Sequence, residues 1–325
     1  MPEAAALQQV LVIMGPTGSG KSDIAMRLAQ ELPVEIVSVD SAQVYRGMDI
    51  GTAKPTAAER AAVPHHLIDI RDPEQSYSAG EFRRDALSLI AAIAARGRLP
   101  LLVGGTMLYF RSLFHGIASL PQADAAVRAR IDTRAQQEGW PALHAELATR
   151  DRQAAARIGV NDAQRIQRAL EVLELRGRAI TELWQEQGLT GTAQTFNYRV
   201  WQLLPGSRAE LHARLERRLD AMLQAGVVAE LQALLRREGL SVQSASLRAV
   251  GYRQLLAFCD GRETLLEARQ KALSATRQLA KRQLTWLRSA AVRPVGAETQ
   301  EIDPFEGNSS ERIRADLLQW LYRQP

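Results

Sequence analysis

The chain has 325 residues, 46% of them apolar and 24% charged, with a formal net charge of +5 and one cysteine, Cys259. That length exceeds one average domain, the composition is that of a globular protein, and a single cysteine excludes an internal disulfide framework and a multi-cysteine zinc site. Only 5% of residues are aromatic, which argues against a sheet that stacks bases on aromatic rings. The opening has a short apolar run, Val10 to Met14, and no basic leader. It therefore predicts neither a signal peptide nor a membrane span, and a cytoplasmic location is expected.

In chain order, Val10–Met14 reads as a strand that breaks into Gly15-Pro-Thr-Gly-Ser-Gly-Lys-Ser22, followed by a helix from Asp23 to Leu32 that Pro33 stops. Glu35–Val39 is a second strand, ending on Asp40. Residues 41–76, with Gly47, Gly51, Pro55, Pro64 and Pro73, read as irregular chain with one short strand, His66–Ile70. Ser78 with Glu81 forms a capping box for a helix to Arg96, and Leu99–Val103 is a strand ending in Gly104-Gly105-Thr106. From Leu120 to Leu189 the pattern is wholly helical. Residues 196–204 return as a strand, helices from Arg208 fill most of the chain to 290, and the tail reads as loop until a last helix at 310–323. The fold class expected is α/β, a P-loop-type parallel sheet flanked by helices with an all-helical insertion. The division expected is a core over 1–119, the insertion over 120–195, core completion with basic helices over 196–290, and a tail over 291–325.

The segment 15–22 fulfils every position of GxxxxGK[ST], with a strand before it and a helix after it. Gly15, Pro16, Thr17, Gly18, Ser19, Gly20, Lys21 and Ser22 are thus expected to hold a di- or triphosphate. Backbone N–H groups would cradle the anion, Lys21 add a charge and the Ser22 hydroxyl ligate Mg²⁺. Asp40 ends a neighbouring strand, where a carboxylate can take a proton from a nucleophile beside the phosphate. A metal-water ligand or a helix cap fits the same position. Gln43 can read a base edge or serve as an ordinary loop polar group.

Positive charge is local: residues 241–290 hold nine basic and three acidic side chains, whereas 1–120 hold eleven and twelve. Such a patch suits a phosphate backbone or a solvated helix. At 100° per residue, Arg277, Lys281 and Arg288 fall within roughly 40° of one another beside a stripe of Leu266, Leu273, Leu284 and Leu287, while Arg282 points elsewhere. Packing is the expected role of Trp286. Gln164, Gln167 and Arg168 share a helical face that suits unstacked bases, or a salt-bridged surface. His65 and His66 match no metal-ligand pattern.

Eight blocks carry a family likeness: DSAQVYR at 40–46, DIGTAKP at 49–55, HHLID at 65–69, YSAGEFRRDA at 77–86, LLVGGTMLYF at 101–110, NDAQRIQRALEV at 161–172, VGYRQ at 250–254 and KRQLTWLR at 281–288. In this order they resemble the bacterial tRNA dimethylallyltransferase (tRNA isopentenyltransferase) family. The resemblance implies transfer of a dimethylallyl group from dimethylallyl diphosphate to N6 of the adenine just 3′ of the tRNA anticodon, with the loop holding the departing diphosphate. It implies catalytic roles for Asp40 as base, Thr106 near the adenine, and Lys21. It further implies tRNA contacts at Asp40, Ser41, Ala42, Gln43, Thr106, Arg128, Gln164, Arg165, Ile166, Gln167, Arg168, Leu247, Arg248, Gly251, Tyr252, Arg253, Lys281, Arg282, Gln283 and Arg288. Mg²⁺ is the cofactor expected, tRNA and dimethylallyl diphosphate are the partners, and no zipper pattern points beyond a monomer. The alternative is a P-loop small-molecule kinase using ATP, against which stand the basic patch, the long insertion and the want of an arginine-rich lid.

Overall fold

The computed structural model describes residues 7–118, 120–186, 191–192 and 195–323. They fall into two units, Met1–His115 with Gly191–Pro325, and Gly116–Thr190.

The first unit is built on six parallel strands in the order β3-β2-β4-β1-β5-β6. These are β1 (Gln8–Met14), β2 (Val34–Val39), β3 (His65–His66), β4 (Leu99–Gly104), β5 (Phe196–Leu203) and β6 (Glu298–Ile302). Its helices are α1 (Lys21–Glu31), α2 (Ala57–Ala62), α3 (Ala79–Ala95) and α4 (Met107–His115). The second unit interrupts the series with α5 (Ala125–Glu138), α6 (Trp140–Arg150), α7 (Arg152–Arg157), α8 (Ala163–Arg176) and α9 (Ile180–Glu186). The first unit resumes with α10 (Arg208–Gln224), α11 (Val227–Leu235), α12 (Tyr252–Cys259), α13 (Leu265–Leu287) and α14 (Ser309–Tyr322).

Alternate residues of the apolar strands serve opposite faces, as the pleat requires. Val10, Val12 and Met14 join Phe82, Ile90 and Phe110 in one core, and Leu11 and Ile13 join Leu28, Leu317 and Trp320 in another. Both faces are covered, and this explains why β1 and β4 read as nearly continuous apolar runs.

Two expectations about strands fail for local reasons. The strand expected at His66–Ile70 stops after His66, because Leu67 (φ 62°) and Asp69 (φ 55°) adopt left-handed backbone that ends an extended run. The tail expected to be loop contains β6, a polar edge strand registered on β5 from Arg199↔Glu298 to Leu203↔Ile302. Only Ile302 of β6 is buried, so its sequence lacks apolar alternation. Arg199, 7% exposed, binds Glu298 at 3.1 Å and receives Asp316 from α14 on its other edge.

In the second unit the five helices enclose their own core around Ile131, Leu143, Leu147, Ile166, Leu170 and Val172. No helix among the described residues is long and apolar enough to cross a membrane.

Candidate active site

Parallel register assembles the site. Met14 pairs with Gly104 and Val39 pairs with the same glycine, so the segments leaving β1, β2 and β4 emerge side by side at the carboxyl ends of the strands. These segments are the phosphate loop, Asp40–Gln43 and Gly105-Thr106. The loop needs left-handed backbone at Gly18 (φ 80°) and Gly20 (φ 77°), and Gly20 starts α1 without a side-chain cap. The N–H groups of the first turn of α1 therefore face the cavity side as anion donors.

A cavity of about 500 Å³ opens there. Thr17, Lys21, Ser22 and Arg218 line it. Lys21 Nζ donates to the Pro16 carbonyl at 3.0 Å. The side chain opens to the cavity, yet protein surrounds it. That desolvation, joined by the like charge of Arg218 and opposed by Asp40, lowers its pKa to about 8. Leu215, Leu219, Met222, Val227, Leu255, Leu279 and Trp286 give the same cavity an apolar wall.

Asp40 and Thr106 both line the cavity at the paired strand ends, with Thr106 bonded to the residues on either side of Asp40. Asp40 Oδ1 accepts the N–H groups of Ala42 (2.8 Å) and Gln43 (3.3 Å), which fixes the carboxylate at the cavity edge. Thr106 N donates to Val39 O at 3.2 Å, and its Oγ1 accepts the Ser41 N–H at 3.1 Å. Gln43 does not present a free amide. Its Oε1 accepts from Ser38 Oγ (3.0 Å), and its Nε2 donates to the carbonyls of Thr52 (3.4 Å) and Ala53 (3.3 Å). Gln43 thus carries the wall that Gly51, Thr52 and Ala53 contribute to the cavity.

The family sequence model described as IPP transferase matches residues 43–290. The chain belongs to the IPP transferase family. A tRNA dimethylallyltransferase of Bordetella pertussis is 55% identical over 88% of this chain and 91% of its own length. One from Aromatoleum aromaticum is 58% identical over 86% of each. Among solved structures, the tRNA isopentenylpyrophosphate transferase of Bacillus halodurans superposes with a TM-score of 0.67 at 35% identity, covering 98% of both chains. A eukaryotic dimethylallyltransferase acting on tRNA gives 0.80 at 26% identity, over 98% of this chain and 80% of that one. The resemblance carried by the eight blocks and the parallel α/β class are borne out, and the kinase alternative is not favoured.

In this IPP transferase the predicted site residues of the first unit, the loop residues Gly15, Pro16, Gly18, Ser19 and Gly20 aside, divide into three groups. Thr17, Lys21, Ser22, Asp40, Ser41, Ala42, Gln43, Thr106, Arg248, Gly251, Arg282 and Gln283 line the cavity. Arg253, Lys281 and Arg288 are exposed and do not line it. Leu247 and Tyr252, predicted to touch tRNA, are 0% exposed and form the core behind the cavity, so they can act only as support. Arg282, predicted to point away, faces the cavity instead, while Arg277 is drawn 3.4 Å from Glu216. Leu266, placed in the buried stripe by periodicity, is 63% exposed, because the buried face of α13 runs instead through Ala268 and Ala272, both 0% exposed. Trp286 both packs on the core and borders the cavity. His66 Nε2 lies 2.7 Å from Glu35, and His65 Nδ1 lies 2.8 Å from the Val63 carbonyl.

In the second unit of the IPP transferase several residues expected at tRNA have partners within the protein. Glu171 is fully buried, and Arg128 grips it with two bonds, of 2.8 and 3.1 Å, while Arg168 adds one of 2.6 Å and also binds Pro121 O. Both arginines therefore neutralise an interior charge. Ile166 is 0% exposed in the core of this unit and cannot touch a ligand. Gln167 donates to Asp132 (2.6 Å), Arg165 pairs with Asp162 (3.0 Å), and Gln164 is exposed.

Sequence reading missed two parts. Arg218 shares a helical face with Leu215 and Met222, three and four residues away, so an arginine bordering an apolar stripe is the signal that could have found it. Glu230 of α11 accepts the N–H groups of Asp49, Ile50 and Gly51 at 2.8, 2.8 and 3.1 Å, an arrangement with no short-range sequence sign.

Proposed function

We propose that this chain transfers the dimethylallyl group of dimethylallyl diphosphate to N6 of the adenine immediately 3′ of the tRNA anticodon, releasing diphosphate and leaving N6-isopentenyladenosine. One observation carries the reading: a single cavity combines a phosphate-binding loop, an apolar wall and the Asp40–Thr106 edge. A donor with a diphosphate head and a short hydrocarbon tail suits both halves.

N6 forms the new bond to the allylic carbon as the C–O bond to diphosphate breaks. The electron pair leaves on the diphosphate oxygen, and the N6 proton passes to Asp40. Lys21, Arg218 and the N–H groups opening α1 stand where charge grows on the leaving group. Thr106 and Ser41, bonded to each other, border the adenine. No group of three or more His, Cys, Asp or Glu residues is arranged for a metal among the described residues. The Ser22 hydroxyl, which lines the cavity, would hold a magnesium ion, and that ion would neutralise leaving-group charge. Arg248 and Arg282 at the cavity, with exposed Arg253, Lys281 and Arg288, supply cations for the tRNA backbone. The enzyme is read as cytoplasmic and as acting as a monomer.

The test is incubation with unmodified tRNA and labelled dimethylallyl diphosphate, followed by digestion to nucleosides. Label is expected in N6-isopentenyladenosine. Absence of label with turnover of ATP on a small acceptor would replace this reading by the kinase.

A further inference from the structure

Gln283 of α13 spans the two main-chain segments that frame the phosphate site. Its Oε1 accepts the Thr17 N–H at 2.9 Å, and its Nε2 donates to the Gly105 carbonyl at 2.8 Å. The backbone is shaped for this contact. A Cβ on Gly105 would stand 2.5 Å from Gln283 Nε2 and 3.0 Å from the Gly15 carbonyl, so any larger residue would expel the carboxamide.

The bridge changes what the loop can hold. A GxxxxGK[ST] loop grips phosphates with its own N–H groups. Here two of them are committed inside the protein, Thr17 N–H to Gln283 and Ser19 N–H to the Pro16 carbonyl at 3.3 Å. The donors left are the N–H groups of Gly18 and Gly20 and those at the start of α1, together with Lys21 and Arg218. A phosphate chain that continues along the loop toward Thr17 meets a carboxamide oxygen, the negative end of a dipole, where it needs an N–H donor.

We propose that Gln283 is a specificity-determining residue that limits this site to two phosphates and rejects triphosphates, nucleoside triphosphates included. The proposal rests on the reading of the loop as the diphosphate site. A triphosphate has to displace the carboxamide and leave its polar atoms without partners, which sets the expected discrimination at roughly tenfold or more.

Calorimetric titration of the free protein with inorganic diphosphate and with inorganic triphosphate, at fixed Mg²⁺, tests this. Wild type is expected to bind diphosphate at least about tenfold tighter, and Gln283→Ala to bring the two within about threefold by gaining triphosphate affinity. Gln283→Met, which fills the same space without polar atoms, is expected to do the same and serves if the alanine variant unfolds. An unchanged ratio, or equal weakening of both anions, would reduce Gln283 to a structural brace and overturn the proposal. Failure of wild type to bind either anion would overturn it together with the donor-site reading.

Discussion

The Tyr252 hydroxyl donates to Glu230 at 2.5 Å, and the same carboxylate collects the N–H groups of residues 49–51. One half-buried acid thereby ties α11 and α12 to the segment that walls the cavity through Gly51, Thr52 and Ala53. Burial, then the Glu230 bond, raises the Tyr252 pKa far above the ordinary phenol value, so the ring stays protonated as the donor. Tyr252→Phe is expected to cost about 1.5–3 kcal/mol, the range for a hydrogen bond to a charged group. It should also speed hydrogen exchange at residues 49–51. Unchanged exchange there would show that the three N–H bonds hold the wall unaided.

The parts of the site legible in sequence are those whose chemistry is contiguous. The phosphate loop is one unbroken segment, and Asp40 and Thr106 follow apolar strands that periodicity marks plainly. Arg218 and Glu230 escaped because their partners lie far away in sequence: Arg218 acts beside Lys21, and Glu230 on backbone some 180 residues earlier. Glu171 sits in the run Ala169-Leu170-Glu171-Val172-Leu173, where an acid flanked by core residues does flag an interior ion pair. The likeness of the segment to tRNA-binding blocks drew attention to Arg168 instead. Strand β6 was hidden for the opposite reason, since an edge strand held by main-chain pairing and Arg199 needs little apolar content.

Asp40 separates binding from chemistry. Asp40→Asn keeps an oxygen able to accept from Ala42 and Gln43, so the turn at 40–43 survives while the proton acceptor is lost. Single-turnover transfer is expected to fall by about 10²–10⁴-fold with tRNA affinity nearly unchanged. A rate that stays at the wild-type level would remove Asp40 as the base.

Glu171 supplies a stability test inside the helical unit. Burial pushes its pKa up, but the bonds from Arg128 and Arg168 and the Asp124 N–H outweigh this and hold it below its usual 4.5. A depressed carboxylate stabilises the fold above its unfolded pKa, and that contribution disappears as pH falls through the folded value, below 4.5. Arg128→Ala is expected to cost about 2 kcal/mol, and the Arg128→Ala/Arg168→Ala double variant about 3–5 kcal/mol, by leaving a buried charge with no cation. Arg130→Ala, which breaks the more exposed pair with Glu174, should cost under about 0.5 kcal/mol. Exchange protection of amides in α5 and α8 reads all three. Equal effects from Arg128 and Arg130 would contradict the interior pairing.

Lys21 and Arg218 make donor binding pH-dependent in a direction that can be stated. With a pKa near 8 in the free enzyme, Lys21 is charged at pH 7 and loses its proton as pH rises through 8. A bound diphosphate favours the charged form and raises the pKa again. Diphosphate affinity is therefore expected to be flat below about pH 7.5 and to fall by up to tenfold per unit above pH 8, with proton uptake on binding. Arg218→Met has two opposite signatures. Loss of a cation should weaken diphosphate binding at pH 7 by about tenfold or more. Loss of its repulsion on Lys21 should move the midpoint above 8, since Arg218 lowers that pKa and Asp40 raises it. General damage to the fold would weaken binding without raising the midpoint. Titrations from pH 7 to 9.5 in buffers of different ionisation heat distinguish the two, and a midpoint that stays near 8 would mean that Arg218 does not set Lys21.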